Sequence, residues 1–292
     1  MKKRIAGWTE QLIFIGPAIS VYILIILIPF FLSLYYSMTD WNGITQHINF
    51  VGFDNFMRIF TEDPQFIASF WFSTKVAFIV VVLTNVIGFT FAYLLVQPLK
   101  LRNVWRTIFF LPNVLGGLLL GFIWQFVFRQ GFSTLGEVTD LAIFQLSWLA
   151  TPNTAFWGII IVSVWQGVGY VMIIFIAGLI SIPKEYIESA RVDGAGGFYM
   201  LFRIIFPLLM PAITVCLFWT INMTYKIFDL NYSLTGGGPY NSSETVALNI
   251  YFEAFQNNNY GIGSAKAFVF FLIVAFITSI QVYVTKKKEV RM

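Results

Sequence analysis

Six long tracts of the chain contain no Asp, Glu, Lys or Arg: 11–39, 76–99, 107–128, 141–183, 204–225 and 267–285. A helix needs about 20 mostly apolar residues to cross the hydrocarbon core of a bilayer. The fourth tract is too long for one crossing. Thr151-Pro152-Asn153 breaks it, leaving a helix at about 155–181 behind a prefix that does not span. The pattern predicts six transmembrane helices, at about 11–36, 71–96, 106–128, 155–181, 204–226 and 264–285. The expected molecule is an all-α polytopic membrane protein, with residues 1–292 forming one transmembrane domain.

Composition agrees with that pattern. Charged residues make up 11% of the chain and hydrophobic ones 58%, whereas about 25% charge is usual in a soluble domain. So few charges cannot cover a surface that faces water. The apolar run behind Met1-Lys2-Lys3-Arg4 is too long for a signal-peptide core, and no small-residue cleavage site follows it. An uncleaved first helix is expected. A single cysteine, Cys216, excludes a disulfide framework or a cysteine metal site. One histidine, His47, leaves little for histidine-centred catalysis, and no metal site is expected. The mild net positive charge does not point to nucleic acid.

The basic residues segregate between alternate loops. Thirteen of the 18 lie in the N-tail, the loop after the second span (Lys100, Arg102, Arg106), the loop after the fourth (Lys184, Arg191, Arg203) and the C-tail. The three opposite loops hold only Arg58 and Arg129. The positive-inside rule then places both termini in the cytoplasm. Lys75, Lys226 and Lys266 fall near the outer helix ends, where snorkelling to the interface accounts for them. Lys226 also has Asp229 three residues away as a possible partner.

The longest charged stretch among these apolar segments is the loop 182–203. Pro183 suits the first turn of a short helix, with Ser181 placed to cap it and Glu185 and Glu188 near its positive end. Gly194 suits a left-handed stop, and Gly196 and Gly197 loosen the corner. A second helical run from Tyr199 leads to Pro207 and Pro211, the first of which is expected to kink the entry to span five. The product is an L-shaped element across the inner face of the membrane. It exposes Tyr186, Ile187 and Phe198 together with charges of both signs. An interfacial helix resting on lipid headgroups would need no glycine corner. A knob for a partner's groove would use one.

The motif ESARVDGA (188–195) followed by IFPLLMP (205–211) resembles the EAA signature of ABC-importer permeases. LTGGGPYNSSET (234–245) and YFEAFQNNNYGIGSA (251–265) are similar to the outer loop and sixth helix of the carbohydrate-uptake subfamily. VWRTIFFLPNV (104–114), GLISIPKEY (178–186) and the surroundings of NFVGFDNF (49–56) fit it too. The resemblance covers nearly the whole chain. It implies a type I ABC-importer permease fold in a bacterial or archaeal inner membrane, carrying a sugar, with an oligosaccharide favoured. The Thr-Gly-Gly-Gly-Pro stretch points to the larger type of the usual permease pair, without the big outer domain or extra N-terminal helices of some relatives. Carried over, Glu188, Ser189, Ala190, Asp193, Gly194 and Ala195 would form the coupling helix against an ATPase, with Ser189 standing where alanine is usual. The implied partners are a second permease in a heterodimer, two ATPase subunits, an extracytoplasmic sugar-binding protein and membrane lipid.

The chain has no G-x-x-x-x-G-K-[ST] phosphate loop, and the glycine run 236–238 lacks a following Lys-Ser/Thr. No enzymatic activity or cofactor is therefore expected on this chain, and ATP and Mg belong with a partner ATPase. A sugar pathway needs polar groups and flat aromatic faces at bilayer depth. The candidates are Asn113 and Gly117 on span three, Ser163, Gln166, Gly167 and Tyr170 on span four, and Thr220 and Thr224 on span five. The four on span four recur at three- or four-residue spacing along one face. Asn222 and Tyr225 add polar groups to span five. Helix packing is the competing role for small and polar residues of this kind. An ion-driven secondary transporter would bury ionisable groups near the midplane, and the charge-free tracts offer none. An ABC permease for another solute is the nearer alternative.

Overall fold

A computed structural model describes residues 14–139 and 141–289. The basic residues Lys2, Lys3, Arg4 and Arg291 lie outside them. The described chain is helical, with one isolated antiparallel bridge, Thr39–Phe50. In chain order the helices are α1 Phe14–Tyr36, α2 Asp54–Thr61, α3 Pro64–Val96, α4 Arg102–Val114, α5 Gly117–Thr139, α6 Ala142–Gln145 and α7 Pro152–Ser181. There follow α8 Lys184–Val192, α9 Gly197–Leu208, α10 Met210–Tyr225, α11 Asp229–Leu234, α12 over 246–256 and α13 Tyr260–Lys286. Four are long and apolar enough to cross a membrane: α1, α3, α7 and α13. The pairs α4/α5 and α9/α10 bring the number to six if each bent pair is one span.

Two of the expected spans are therefore bent, and only span five carries an expected kink. Span three breaks by 100° between α4 and α5. Pro112 removes one backbone donor from the end of α4, and Leu115 and Gly116 are extended rather than helical. Span five bends by 72° at Leu209, beside Pro211. Proline 211 has no N–H for the preceding turn, so the kink falls later than Pro207 alone would place it. Thr151-Pro152-Asn153 proves to be a helix start. Thr151 and Thr154 form a reciprocal capping box, with Pro152 in the first turn. Span two begins at Pro64, seven residues ahead of its expected start.

Chain contacts divide the protein into two compact units, one ending at Pro64 and including Ile250–Phe271, the other Gln65–Asn249 with the C-terminal segment from Leu272. In the first unit, Phe30 of α1 meets Phe271 of α13 edge-on at 5.4 Å. Asn55 is buried and donates to the Ser37 and Thr39 carbonyls, which ties α2 to the end of α1. Asn49 donates side-chain and backbone N–H groups to Asp40, which holds that exposed carboxyl below its ordinary pKa. Lys266 does not snorkel. It is fully buried and paired with Asp63 at 2.6 Å and Glu253 at 2.9 Å. Two carboxylates compensate the desolvation of one ammonium, and Asn259 donates to the second Glu253 oxygen.

The second unit is built on α7, two thirds of whose most apolar window is buried. Ile159, Val162, Val171 and Met172 of α7 are fully enclosed. Gly169 lets α4 pass close, because a Cβ there would lie 2.0 Å from the Phe109 carbonyl oxygen. Gly117 and Gly121 do the same for α5 against α11, with Cβ positions 2.8 Å from Asp229 Cβ and 1.8 Å from Ser233 Oγ. That Gly-x-x-x-Gly spacing is a common means of close helix approach in membranes.

Candidate functional site

The second unit holds two regions of interest. One is the break in span three. The last carbonyls of a helix lack intrahelical partners, and at bilayer depth water does not supply them freely. Here α7 supplies one. Gln166 Nε2 donates to the Leu115 carbonyl at 3.3 Å, while Asn113 Nδ2 reaches the Gln166 carbonyl at 3.5 Å. The two amides clasp the break from both sides, and both residues remain partly exposed. One turn along α7, Tyr170 stacks on Trp219 of α10, with centroids 4.3 Å apart and planes at 27°. Trp219, Asn222 and Lys226 follow at i, i+3 and i+7 on a partly exposed stripe of α10 and its end. Amides beside a stacked aromatic pair suit hydroxyl groups and flat ring faces, and Lys226 adds a cation at the end of the stripe.

The other expected residues serve packing. Ser163 is fully buried, and its hydroxyl has no partner. Gly167 lies against Thr84 and Met223, where a Cβ would come within 3.2 Å of Thr84 Cγ2. Thr220 and Thr224 are buried and turn their hydroxyls back to the Cys216 and Thr220 carbonyls. Asn85 of α3 also donates to Thr220 Oγ1 at 3.0 Å. Gly117 faces α11. The three-to-four spacing on α7 thus divides, with Gln166 and Tyr170 at its margin and Ser163 and Gly167 inside. Trp219 was missed by the sequence reasoning. Its signal was the same helical stripe as Asn222. Lys226 and Asp229 are both exposed, and no ion pair joins them.

The second region is the corner between α8 and α9. Pro183 is the residue before α8 rather than its first, and no side chain caps it. Ser181 cannot, since its hydroxyl bonds to the Gly178 carbonyl of α7. The C-terminus is fully capped by backbone. Gly194 N–H donates to the Arg191 carbonyl and Ala195 N–H to the Ala190 carbonyl, with Gly194 at φ +79°. This is a Schellman motif, which uses glycine because the left-handed conformation costs it little. Ala190 is buried, and it joins Ile182, Met200 and Ile205 in a small core with Ile187 and Ala195 packed against it. Ile187 therefore faces inward, contrary to the sequence expectation. Glu188, Ser189, Asp193 and Gly194 face outward, as do Tyr186, Val192 and Phe198, the last 82% exposed.

Comparisons with known proteins agree with one another. Residues 84–290 match the family model of the binding-protein-dependent transport system inner membrane component. The chain is 45% identical over 280 residues to the "Probable starch degradation products transport system permease protein AmyD" of Thermoanaerobacterium thermosulfurigenes, covering 96% of this chain and 95% of the relative. It is 33% identical to the multiple sugar-binding transport system permease protein MsmF of Streptococcus mutans, covering 97% and 96%. The fold is similar to a chain of a bacterial ABC transporter that imports the acidic polysaccharide alginate. The TM-score is 0.82 with 19% identity, over 98% of both chains.

Proposed function

The chain belongs to the binding-protein-dependent transport system inner membrane components, and from that premise we infer that it is the permease subunit of an ATP-driven sugar importer. It is a multi-pass membrane protein, and a bacterial or archaeal inner membrane is the proposed location. The observation that carries the mechanistic reading is the α8–α9 corner. It is rooted by a small core, closed by backbone hydrogen bonds, and presents Glu188, Ser189 and Asp193 outward. Such an element passes a push from outside into α7 and α10 without bending at the joint. A second permease would complete the pathway, two ATPase subunits binding ATP and Mg would drive it, and an extracytoplasmic binding protein would deliver the sugar.

The break in span three would form the sugar path. Asn113 and Gln166 would offer amides to hydroxyl groups, and the Tyr170–Trp219 pair a flat face. The amides and the aromatic pair carry no charge and suit a neutral glycan, with the exposed Lys226 standing beyond them at the end of α10. Together with the name of the 45%-identical relative, this supports an oligosaccharide of starch breakdown as the substrate. The test is ATPase stimulation of the reconstituted importer by its binding protein across a glycan panel. Stimulation by short α-glucans is expected. Stimulation by acidic oligosaccharides or glycerol phosphate, with none by α-glucans, would overturn the assignment.

A further inference from the structure

A cavity of about 450 Å³ opens beside α8, a size suited to a small amphiphile or one part of a larger one. Leu179 at the end of α7, Ile187 of α8 and Ile205 of α9 form its apolar floor, and Tyr93, Gln97 and Arg191 stand at its margin. Arg191 is the one charged residue of the lining, and no carboxylate is present to neutralise it. Arg191 and Gln97 are exposed, and neither side chain has a hydrogen-bond partner among the described residues. Leu179 and Ile205 of the floor come from α7 and from the bent pair α9/α10, and Ile187 comes from α8. The cation comes from α8, which the sequence pattern places across the inner face of the membrane. The cavity therefore straddles the level where acyl chains meet headgroups.

We propose that this cavity binds an anionic phospholipid from the leaflet facing the α8–α9 corner. Its phosphate would sit on Arg191 and Gln97, and its upper acyl chain would lie over Leu179 and Ile205. Basic pockets between membrane helices are a known means of holding anionic headgroups, and an arginine guanidinium offers a phosphate paired donors. The lipid would fill the space behind α8 and stiffen it against α3 and α7. The bilayer's anionic lipid content would then set how well the corner transmits force. The proposal rests on the coupling role of that corner but not on the identity of the sugar.

The test uses the full importer in phosphatidylcholine nanodiscs carrying phosphatidylglycerol with a photoactivatable acyl chain. Labelling should concentrate on the peptides containing Tyr93–Gln97 and Leu179–Ile205. Unlabelled phosphatidylglycerol should displace it, and phosphatidylcholine should not. Arg191→Gln should lower labelling there about fivefold, the worth of one basic side chain at an anionic surface, and Arg191→Lys should retain most of it. Equal labelling by a phosphatidylcholine probe, or no change in Arg191→Gln, would overturn the proposal. So would labelling seen only after the ATPase subunits are stripped away, since the cavity would then be their contact. No labelling of these peptides in the wild-type importer, with normal sugar-stimulated ATPase activity, would sink the lipid site alone and leave the importer reading intact.

Discussion

The chain changes direction sharply at both candidate sites, and it does so by opposite means. The break in span three uses ordinary backbone. Leu115 and Gly116 are extended, with Gly116 at φ −63°, and a Cβ on Gly116 would meet nothing within 4 Å. The Gln166 side chain of α7 and the Asn113 side chain of α4 itself hold that break in place. The turn of the α8–α9 corner uses no side-chain hydrogen bond. It depends on the left-handed Gly194 and two backbone hydrogen bonds, in open surroundings. A glycine at a bend therefore does not reveal its importance by position. Gly116 is replaceable on conformational grounds, and Gly194 is not.

The largest effect should come from Gly194→Val. A β-branched residue resists positive φ, at a cost of roughly 1–3 kcal/mol, and no neighbour can compensate. Uptake by the assembled importer should fall to near background while the subunit still inserts. Normal uptake would show that the corner tolerates another shape. Next is Gln166→Ala, which orphans the Leu115 carbonyl at a cost of about 1–3 kcal/mol. Sugar-stimulated ATPase activity should drop, and Asn113→Ala should add less than its own effect because the two amides form one clasp. Full additivity in the double mutant would break the clasp.

Gly116→Ala should be close to neutral in uptake and in melting temperature, whereas Gly121→Ala should destabilise, since its Cβ would strike Ser233. Equal outcomes would erase the distinction between a bend glycine and a packing glycine. The smallest perturbation is a topological one. Asn241→Cys in a Cys216→Ala background should react with an impermeant thiol reagent from outside, and Lys287→Cys should not. The reverse pattern would put the corner on the wrong side of the membrane. Asn55 is unsuitable as the outer probe because it is buried and doubly hydrogen-bonded.

The long apolar helices, and the corner at Gly194, were legible in the sequence because apolar length and turn chemistry are local properties. The 100° break was not, since Pro112 in a membrane helix is compatible with a mild kink. The packing of Gly117 and Gly121 against α11, more than a hundred residues away, leaves no local signal either. The same limit divided the candidate path. Periodicity placed Ser163, Gln166, Gly167 and Tyr170 on one face, but only the packing of α3 and α10 decides which of them is enclosed. Lys266 was misjudged for a related reason. Asp63 comes from a distant part of the chain and Glu253 from 13 residues earlier across a break in the helix, and without them an interfacial lysine is the simpler expectation.

The account turns on the corner being the joint to a separate motor, and co-purification of the ATPase tests this most directly. Glu188 is exposed on α8 and takes no part in the small core, so reversing its charge leaves the fold unstrained. Tagged permease carrying Glu188→Lys should assemble in the membrane with its partner permease and recover much less ATPase than wild type, with uptake falling in parallel. Recovery and uptake both at wild-type levels, for Glu188→Lys and for Gly194→Val alike, would contradict the account and reduce the corner to an interfacial anchor.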